Sequence, residues 1–74
     1  MDTKHYKFFI QVGLNLMRYR KEQGLTQEQL ASMTGYSRNQ IQRAETANST
    51  PSLALLLDAA EALKIPLEKL FEIR

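Results

Sequence analysis

Residues 38–43, in the middle of the chain, carry side chains suited to hydrogen bonding with the edges of nucleic-acid bases. Arg38 and Arg43 have planar guanidinium groups, which can make two hydrogen bonds to the acceptor edge of guanine. Asn39 and Gln42 have carboxamides, which can pair in a similar two-point way with adenine. These four side chains could read a base sequence together, provided that they share one exposed surface.

The spacing of these residues places them on the outward face of a single helix. Arg38 and Asn39 would lie in its first turn, and Gln42 and Arg43 one turn later on the same side. Its inward face has two clear apolar positions, Ile41 and Ala44. An ordinary solvated helix would favour Glu/Lys pairs, so the alternative of a merely soluble helix fits this composition less well.

Turn-forming residues divide the rest of the chain into segments that all have helical periodicity, which predicts an all-α fold of five helices. Capping-box patterns at Thr26/Gln29 and Ser37/Gln40 predict the starts of helices two and three. The other predicted boundaries are helix one over about 7–23 with a stop at Gly24, the end of helix two at Gly35, Ser52 as the N-cap of helix four, and Pro66 at the start of helix five.

Apolar residues at three- and four-residue steps predict the core. Phe9, Val12, Leu16 and Tyr19 form the predicted stripe of helix one. Leu30 and Ala31, with Met33 in partial contact, belong to helix two, and Leu53, Leu56, Ala60 and Leu63 to helix four. Leu67, Leu70 and Phe71 are predicted to close the bottom of the core.

Composition and charge favour binding over catalysis. The 74 residues contain no cysteine and one histidine, His5, which predicts no metal site, no cofactor and no catalytic triad, and suits a reducing cytoplasm. No apolar run approaches the length of a membrane span, and no signal peptide is recognisable. Up to Glu45 there are seven Lys/Arg against four Asp/Glu, and after it three against four, so the first part is the basic one.

The sequence also resembles the Cro/C1-type (Xre-like) helix-turn-helix family. The resemblance runs from about Val12 to Phe71, and it is carried by residues 24–31, residues 34–37, Ile41, Glu45 and residues 51–53. It implies a compact lambda-repressor-like domain over residues 1–74, with the helix-turn-helix at about 26–46. It also implies a cytoplasmic transcriptional regulator, with a repressor expected, that binds double-stranded DNA as a homodimer. No small-molecule ligand is expected.

The resemblance assigns roles to individual residues. Gln27 and Ser37, at the starts of helices two and three, are expected to contact DNA phosphates, although Gln27 could simply be a helix-friendly first residue. Arg38, Asn39, Gln42 and Arg43 are expected to face the bases. Arg20 is expected to pair with Glu45 and to tie helix one to helix three.

Two positions depart from the family pattern. Many members have glycine where this chain has Ala47, so we expect Asn48 to take the left-handed conformation after helix three, and to contact DNA from a loop that lacks charge. Lys64 stands where a glycine often ends helix four.

A second apolar line on helix one leaves two interpretations open. Tyr6, Ile10, Leu14 and Met17 form this line, and Leu55 is expected to face outward on helix four. Helix five could cover the line, or the line could serve self-association. A DNA-binding antitoxin or an accessory subunit of a larger complex is the alternative to a free-standing regulator. An enzyme would need titratable groups clustered in a pocket, which the sequence does not suggest.

Overall fold

The protein, as a computed structural model, is described over residues 3–73, and its elements are helices joined by short turns. The α-helices are α1 (Tyr6–Glu22), α2 (Gln27–Thr34), α3 (Arg38–Glu45) and α4 (Leu53–Leu63), with 3₁₀-helices at Thr3–His5 and Leu67–Phe71. Residues 3–73 contain no strand, which confirms the all-α fold. The fifth predicted helix is the second of these 3₁₀-helices.

Side-chain caps begin three of the α-helices where the sequence predicts them. Thr26 and Ser37 each accept a hydrogen bond from the backbone N–H of a glutamine three residues later, and that glutamine accepts one from the cap backbone in return. Ser52 caps α4 by accepting from the N–H of Leu55 at 3.0 Å. A cap of this kind contributes about 1 kcal/mol. Because each cap and its partner are three residues apart, these helix starts are specified by the local sequence.

Within residues 3–73, each α-helix is followed within two residues by a residue with left-handed backbone. The N–H of the residue after that one donates to a carbonyl five residues back in the helix. Gly24 and Gly35 take this position after α1 and α2, with φ of 71° and 80°. After α4 it falls to Lys64, with φ of 58°. Glycine is favoured at such a position because it has no Cβ to crowd the backbone.

The expectation that Asn48 is the left-handed residue after α3 is wrong. Ala47 takes that conformation, with φ of 56°, and is buried. The N–H of Asn48 instead donates to the carbonyl of Arg43 at 3.0 Å, and this bond closes the helix end. The closing bond spans five residues, so it puts the left-handed residue directly before Asn48.

Placing glycine at position 47 should stabilise the fold. Left-handed backbone costs a residue with a Cβ about 1–2 kcal/mol, and glycine loses part of that gain through its freer unfolded chain. We expect Ala47→Gly to raise the free energy of unfolding by about 0.5–1 kcal/mol, measured as a higher urea midpoint at an unchanged slope. Asn48→Gly is the matched control and should give no gain. An equal gain from both variants would contradict the assignment.

The core lies between the four α-helices: α2 packs against both α3 and α4, α1 packs against α3, and the last 3₁₀-helix packs against α1 and α4. Leu16, Leu30, Ile41, Leu63 and Leu70 are fully buried at its centre. Phe9 and Tyr19 of the predicted stripe are half-buried, as are Leu67 and Phe71 at the bottom. Met33, expected in partial contact, is exposed.

The predicted inner face of α4 is rotated from the observed one. Leu53 is 59% exposed and Leu55 only 5%, so both expectations for these residues are wrong. The buried face comprises Leu55, Leu56, Ala59, Ala60 and Leu63. Almost every residue of α4 is apolar, so its periodicity fits more than one face, and contact with its neighbours decides which face is buried.

A buried asparagine attaches the C-terminal segment to α1. The side-chain N–H₂ of Asn15 donates to the carbonyls of Leu70 at 2.9 Å and Glu72 at 2.8 Å. The phenol of Tyr19 donates to the Glu72 carboxylate at 3.0 Å. Within the second apolar line of α1, Tyr6 and Leu14 remain about half exposed, at 47% and 49%, whereas Ile10 and Met17 are half-buried.

Candidate nucleic-acid interface

Helices α2 and α3 are joined by a turn of three residues. The N–H groups of Gly35 and Tyr36 both donate to the carbonyl of Ala31, at 2.9 and 3.1 Å, and Ser37 then caps α3. The phenol of Tyr36 donates to the Asp58 carboxylate of α4 at 2.9 Å. This hydrogen bond raises the pKa of Tyr36 above its ordinary value, because the phenol donates its proton to a carboxylate. The turn is therefore held from both the α2 and the α4 sides.

The inward and outward faces of α3 differ sharply in chemistry. Ile41, Ala44 and Glu45 are buried. Arg38, Asn39 and Arg43 are exposed, and Gln42 is half-buried on the flank. Ser37 and Asn48, at either end of the helix, are exposed as well. The structure thus presents guanidinium and carboxamide groups together on one accessible surface.

A buried ion pair connects α1 to the end of α3. Arg20 Nε lies 2.6 Å from Glu45 Oε2, and Arg20 Nη2 lies 3.0 Å from Glu45 Oε1. The two side chains are 8% and 0% exposed. Arg20 Nη1 also donates to the carbonyl of Leu25 at 2.7 Å, so the same guanidinium holds the segment that leads into α2. Two-point pairing of this kind fixes orientation as well as distance.

Gln27 joins this pair from the start of α2. Its Nε2 donates to Glu45 Oε1 at 3.0 Å, and the side chain is half-buried. Part of the role of Gln27 is therefore to hold α2 and α3 in register. Its second amide N–H is not used by that bond and is the side-chain donor available to a phosphate.

The sequence interpretation missed Gly13, which lies at the crossing of α1 and the end of α3. A Cβ built there would stand 2.5 Å from the Glu45 carbonyl oxygen and 2.6 Å from that of Ala44. No side chain fits between the two helices at this point. The absence of a side chain on α1 therefore sets how closely α3 approaches.

A second missed residue is Gln40, which the sequence analysis assigned to a cap and did not place among the candidate DNA-binding residues. Together with Arg43 it lines a cleft of about 260 Å³ between α3, the following loop and the start of α4. Its capping role uses the side-chain oxygen alone. A signal existed in the sequence, because a capping glutamine, unlike a glutamate, keeps an N–H₂ group that the cap does not need.

Over residues 3–73, no three His, Cys, Asp or Glu side chains are grouped as metal ligands would be. None of the helices there is long and apolar enough to cross a membrane. Glu28 and Glu45 are the two carboxylates within the helix-turn-helix, and they lie on different helices. The Glu45 carboxylate forms an ion pair with Arg20.

Two capped helices around a tight turn, with the second one polar on its outer face, define a helix-turn-helix domain of the lambda-repressor-like fold. Residues 16–70 match the family model described as Helix-turn-helix (HTH_3). The chain therefore belongs to the helix-turn-helix family, of the Cro/C1 type.

Known proteins resemble this chain in sequence or in structure. An uncharacterized HTH-type transcriptional regulator, y4dJ of Sinorhizobium fredii, is 35% identical over 54 residues, which are 73% of this chain and 70% of the relative. The crystal structure of the restriction-modification controller protein C.AhdI from Aeromonas hydrophila superposes with a TM-score of 0.86 at 33% identity, over 89% of this chain and 100% of that one. SinR, a master regulator for biofilm formation solved in complex with DNA, superposes with a TM-score of 0.77 at 26% identity, over 82% and 98% of the two chains.

Proposed function

We propose that this chain binds double-stranded DNA sequence-specifically, with α3 in the major groove, and regulates transcription as a repressor. One observation carries the proposal: Arg38, Asn39 and Arg43 are exposed together on α3, whose opposite face is buried. These are the side chains that recognise guanine and adenine edges in the major groove. The relative named a transcriptional regulator and the DNA-bound structure of SinR support the same function.

The residues divide into two roles under this proposal. Arg38 and Asn39 lead into the groove from the N-terminal turn of α3, with Gln42 and Arg43 one turn behind them. Gln27, Ser37 and Asn48 contact phosphates and fix the position of α3 on the duplex. The Arg20–Glu45 pair makes no contact with DNA and maintains the geometry.

A homodimer is part of the proposal. Two copies related by a two-fold axis would place their recognition helices about 34 Å apart, one turn of DNA, on a near-palindromic operator. Exposed apolar side chains available for such a contact lie on α1 (Tyr6, Leu14) and on α4 (Leu53, Leu57). The proposed activity is binding rather than catalysis, in the cytoplasm, to which a chain without cysteine is suited.

Selection of bound duplexes from a random pool tests the function directly. We expect enrichment of one sequence with two symmetric half-sites about one helical turn apart. Binding of the enriched duplex should weaken steeply as salt rises, because each neutralised phosphate releases counterions. Failure to enrich any sequence, with binding equal on all duplexes, would contradict sequence-specific recognition.

Arg38→Ala should weaken binding to the selected duplex by about 1–3 kcal/mol and relax the preference at one base pair. The physical reason is loss of a two-point hydrogen bond to one base. Competition titrations against duplexes substituted at each position measure both effects. Arg38→Lys is the matched control, since it keeps the charge but not the planar fork: the preference should still relax, while the salt dependence stays near that of the wild type. Equal loss on all sequences would show that Arg38 contacts only phosphate.

A further inference from the structure

We propose that the cleft between α3 and the start of α4 holds one phosphodiester group of the DNA backbone, with the side-chain N–H₂ of Gln40 as its principal positioned donor. The cleft has a volume of about 260 Å³. The inference rests on the proposed DNA binding and adds to it a specific phosphate site on the flank of the recognition helix.

The capping box fixes the orientation of Gln40. Its Oε1 accepts from the N–H of Ser37 at 2.8 Å, and its own backbone N–H donates to Ser37 Oγ at 3.1 Å. With the oxygen held against the backbone, the amide plane is set and both N–H groups of Nε2 are left to donate elsewhere. Because Gln40 lines the cleft, a ligand there would find these donors already oriented.

The lining of the cleft suits an anion. Arg43 supplies a positive charge, and Ser49 and Ser52 supply hydroxyl groups, over an apolar floor that includes Ala44 and Leu55. Ser52 Oγ already accepts from the N–H of Leu55, so its remaining proton can donate. No carboxylate lines the cleft. Asp58 is not among the lining residues, and its carboxylate accepts the phenol proton of the lining residue Tyr36 at 2.9 Å.

The position of the cleft identifies the source of the anion. Arg43 belongs both to the exposed row of α3 and to the cleft wall, so the two surfaces are continuous. A DNA strand whose bases face α3 must carry its backbone past one side of that helix. On the α4 side this path runs through the cleft, where a phosphodiester would meet donors from Gln40 and the two serines.

A charge placed on Gln40 tests the site without removing the cap. Gln40→Glu retains an oxygen for the N–H of Ser37, since glutamate is itself a capping-box residue, but it sets a negative charge in the cleft. We expect its affinity for the selected duplex to fall by about 30-fold or more, with the preference for that duplex over random DNA unchanged. Thermal unfolding should show a midpoint no lower than that of the wild type.

Gln29→Glu is the matched control. Gln29 makes the same capping box at the start of α2, with its Oε1 2.8 Å from the N–H of Thr26, and it does not line the cleft. The charge change and the cap are identical, so we expect less than about a three-fold loss of affinity from this variant. Equal losses from the two glutamates would reduce the effect to net charge and overturn the site.

Neutral methylphosphonate linkages locate the contact on the DNA. Replacing phosphates of the selected duplex one at a time should reveal one linkage at which wild-type binding weakens and Gln40→Ala binding does not weaken further. If every linkage affects the two proteins alike, or if Gln40→Glu changes base preference instead of affinity, the phosphate site is wrong while DNA binding stands. If the wild-type protein selects no duplex, the proposed function itself fails first.

Discussion

Arg20→Met should lower the free energy of unfolding by about 3–5 kcal/mol, because it leaves the Glu45 carboxylate buried without its positive partner. That carboxylate has a fully buried side chain and receives two hydrogen bonds from Arg20, at 2.6 and 3.0 Å. Native proteins are stabilised by only about 5–15 kcal/mol in total, so a loss of this size is a large fraction of the stability of the fold. Urea unfolding followed by circular dichroism measures the change.

Two further variants separate the charge effect from loss of packing. Arg18→Met on the same helix removes two partly exposed ion pairs, with Glu22 at 3.3 Å and with Glu72 at 4.0 Å, and a guanidinium that lies 4.2 Å from the centroid of the Tyr19 ring. These exposed contacts together should cost no more than about 1 kcal/mol. Arg20→Met combined with Glu45→Leu removes both charges and should recover much of the lost stability. A cost for Arg20→Met as small as that for Arg18→Met would show that the pair does not hold the fold.

The helix boundaries could be predicted because the interactions that set them are local. Thr26 with Gln29, and Ser37 with Gln40, lie within one turn of each other in the chain, so the sequence alone contains both partners. The polar face of α3 could be predicted for the same reason, since the spacing of Ile41 and Ala44 identifies the buried side of the helix. What the sequence could not supply is how these elements lie against each other.

The wrong predictions fall where packing or backbone hydrogen bonding overrides the preference of the residue type. In α4, Leu53 and Leu55 are equally apolar, and only the packing of its neighbours buries the second and exposes the first. After α3, asparagine tolerates left-handed backbone better than alanine does, yet the hydrogen bond from Asn48 to the Arg43 carbonyl assigns that conformation to Ala47. In both cases the surrounding structure decided the outcome, and the preference of the residue type did not.

In the candidate site, too, features set by nearby residues could be predicted and long-range contacts could not. Base-facing candidates on α3 follow from residue type and period, but the bond from Gln27 to Glu45 joins residues 18 apart, and no spacing rule predicts it. Asn15 likewise reaches carbonyls 55 and 57 residues away. Gly13 is the strongest example, because a missing side chain produces no pattern at all. Its importance appears only when α3 is seen against α1.

Gly13→Ala should lower the free energy of unfolding by about 2–3 kcal/mol, opposite in sign to what helix propensity predicts. Alanine is favoured over glycine inside a helix by about 1 kcal/mol, so α1 considered alone would gain stability. The added methyl, however, would lie 2.5 Å from the carbonyl oxygen of Glu45 and 2.6 Å from that of Ala44. Both are backbone atoms, so only a shift of α3 away from α1 can relieve the overlap.

That shift couples stability to DNA binding, and Gly24→Ala separates the two effects. Gly24 has open space around it but left-handed backbone, with φ of 71°, so alanine there should cost about 1–2 kcal/mol without moving α3. We expect Gly13→Ala to weaken binding to the selected duplex at temperatures where it is fully folded, because α3 carries Arg38 and Asn39 with it, whereas Gly24→Ala should bind as the wild type does. Urea unfolding and titration of each variant measure the two quantities independently. A stabilised Gly13→Ala protein would show that α1 and α3 can separate without strain, and the close crossing would then not be what positions the recognition helix.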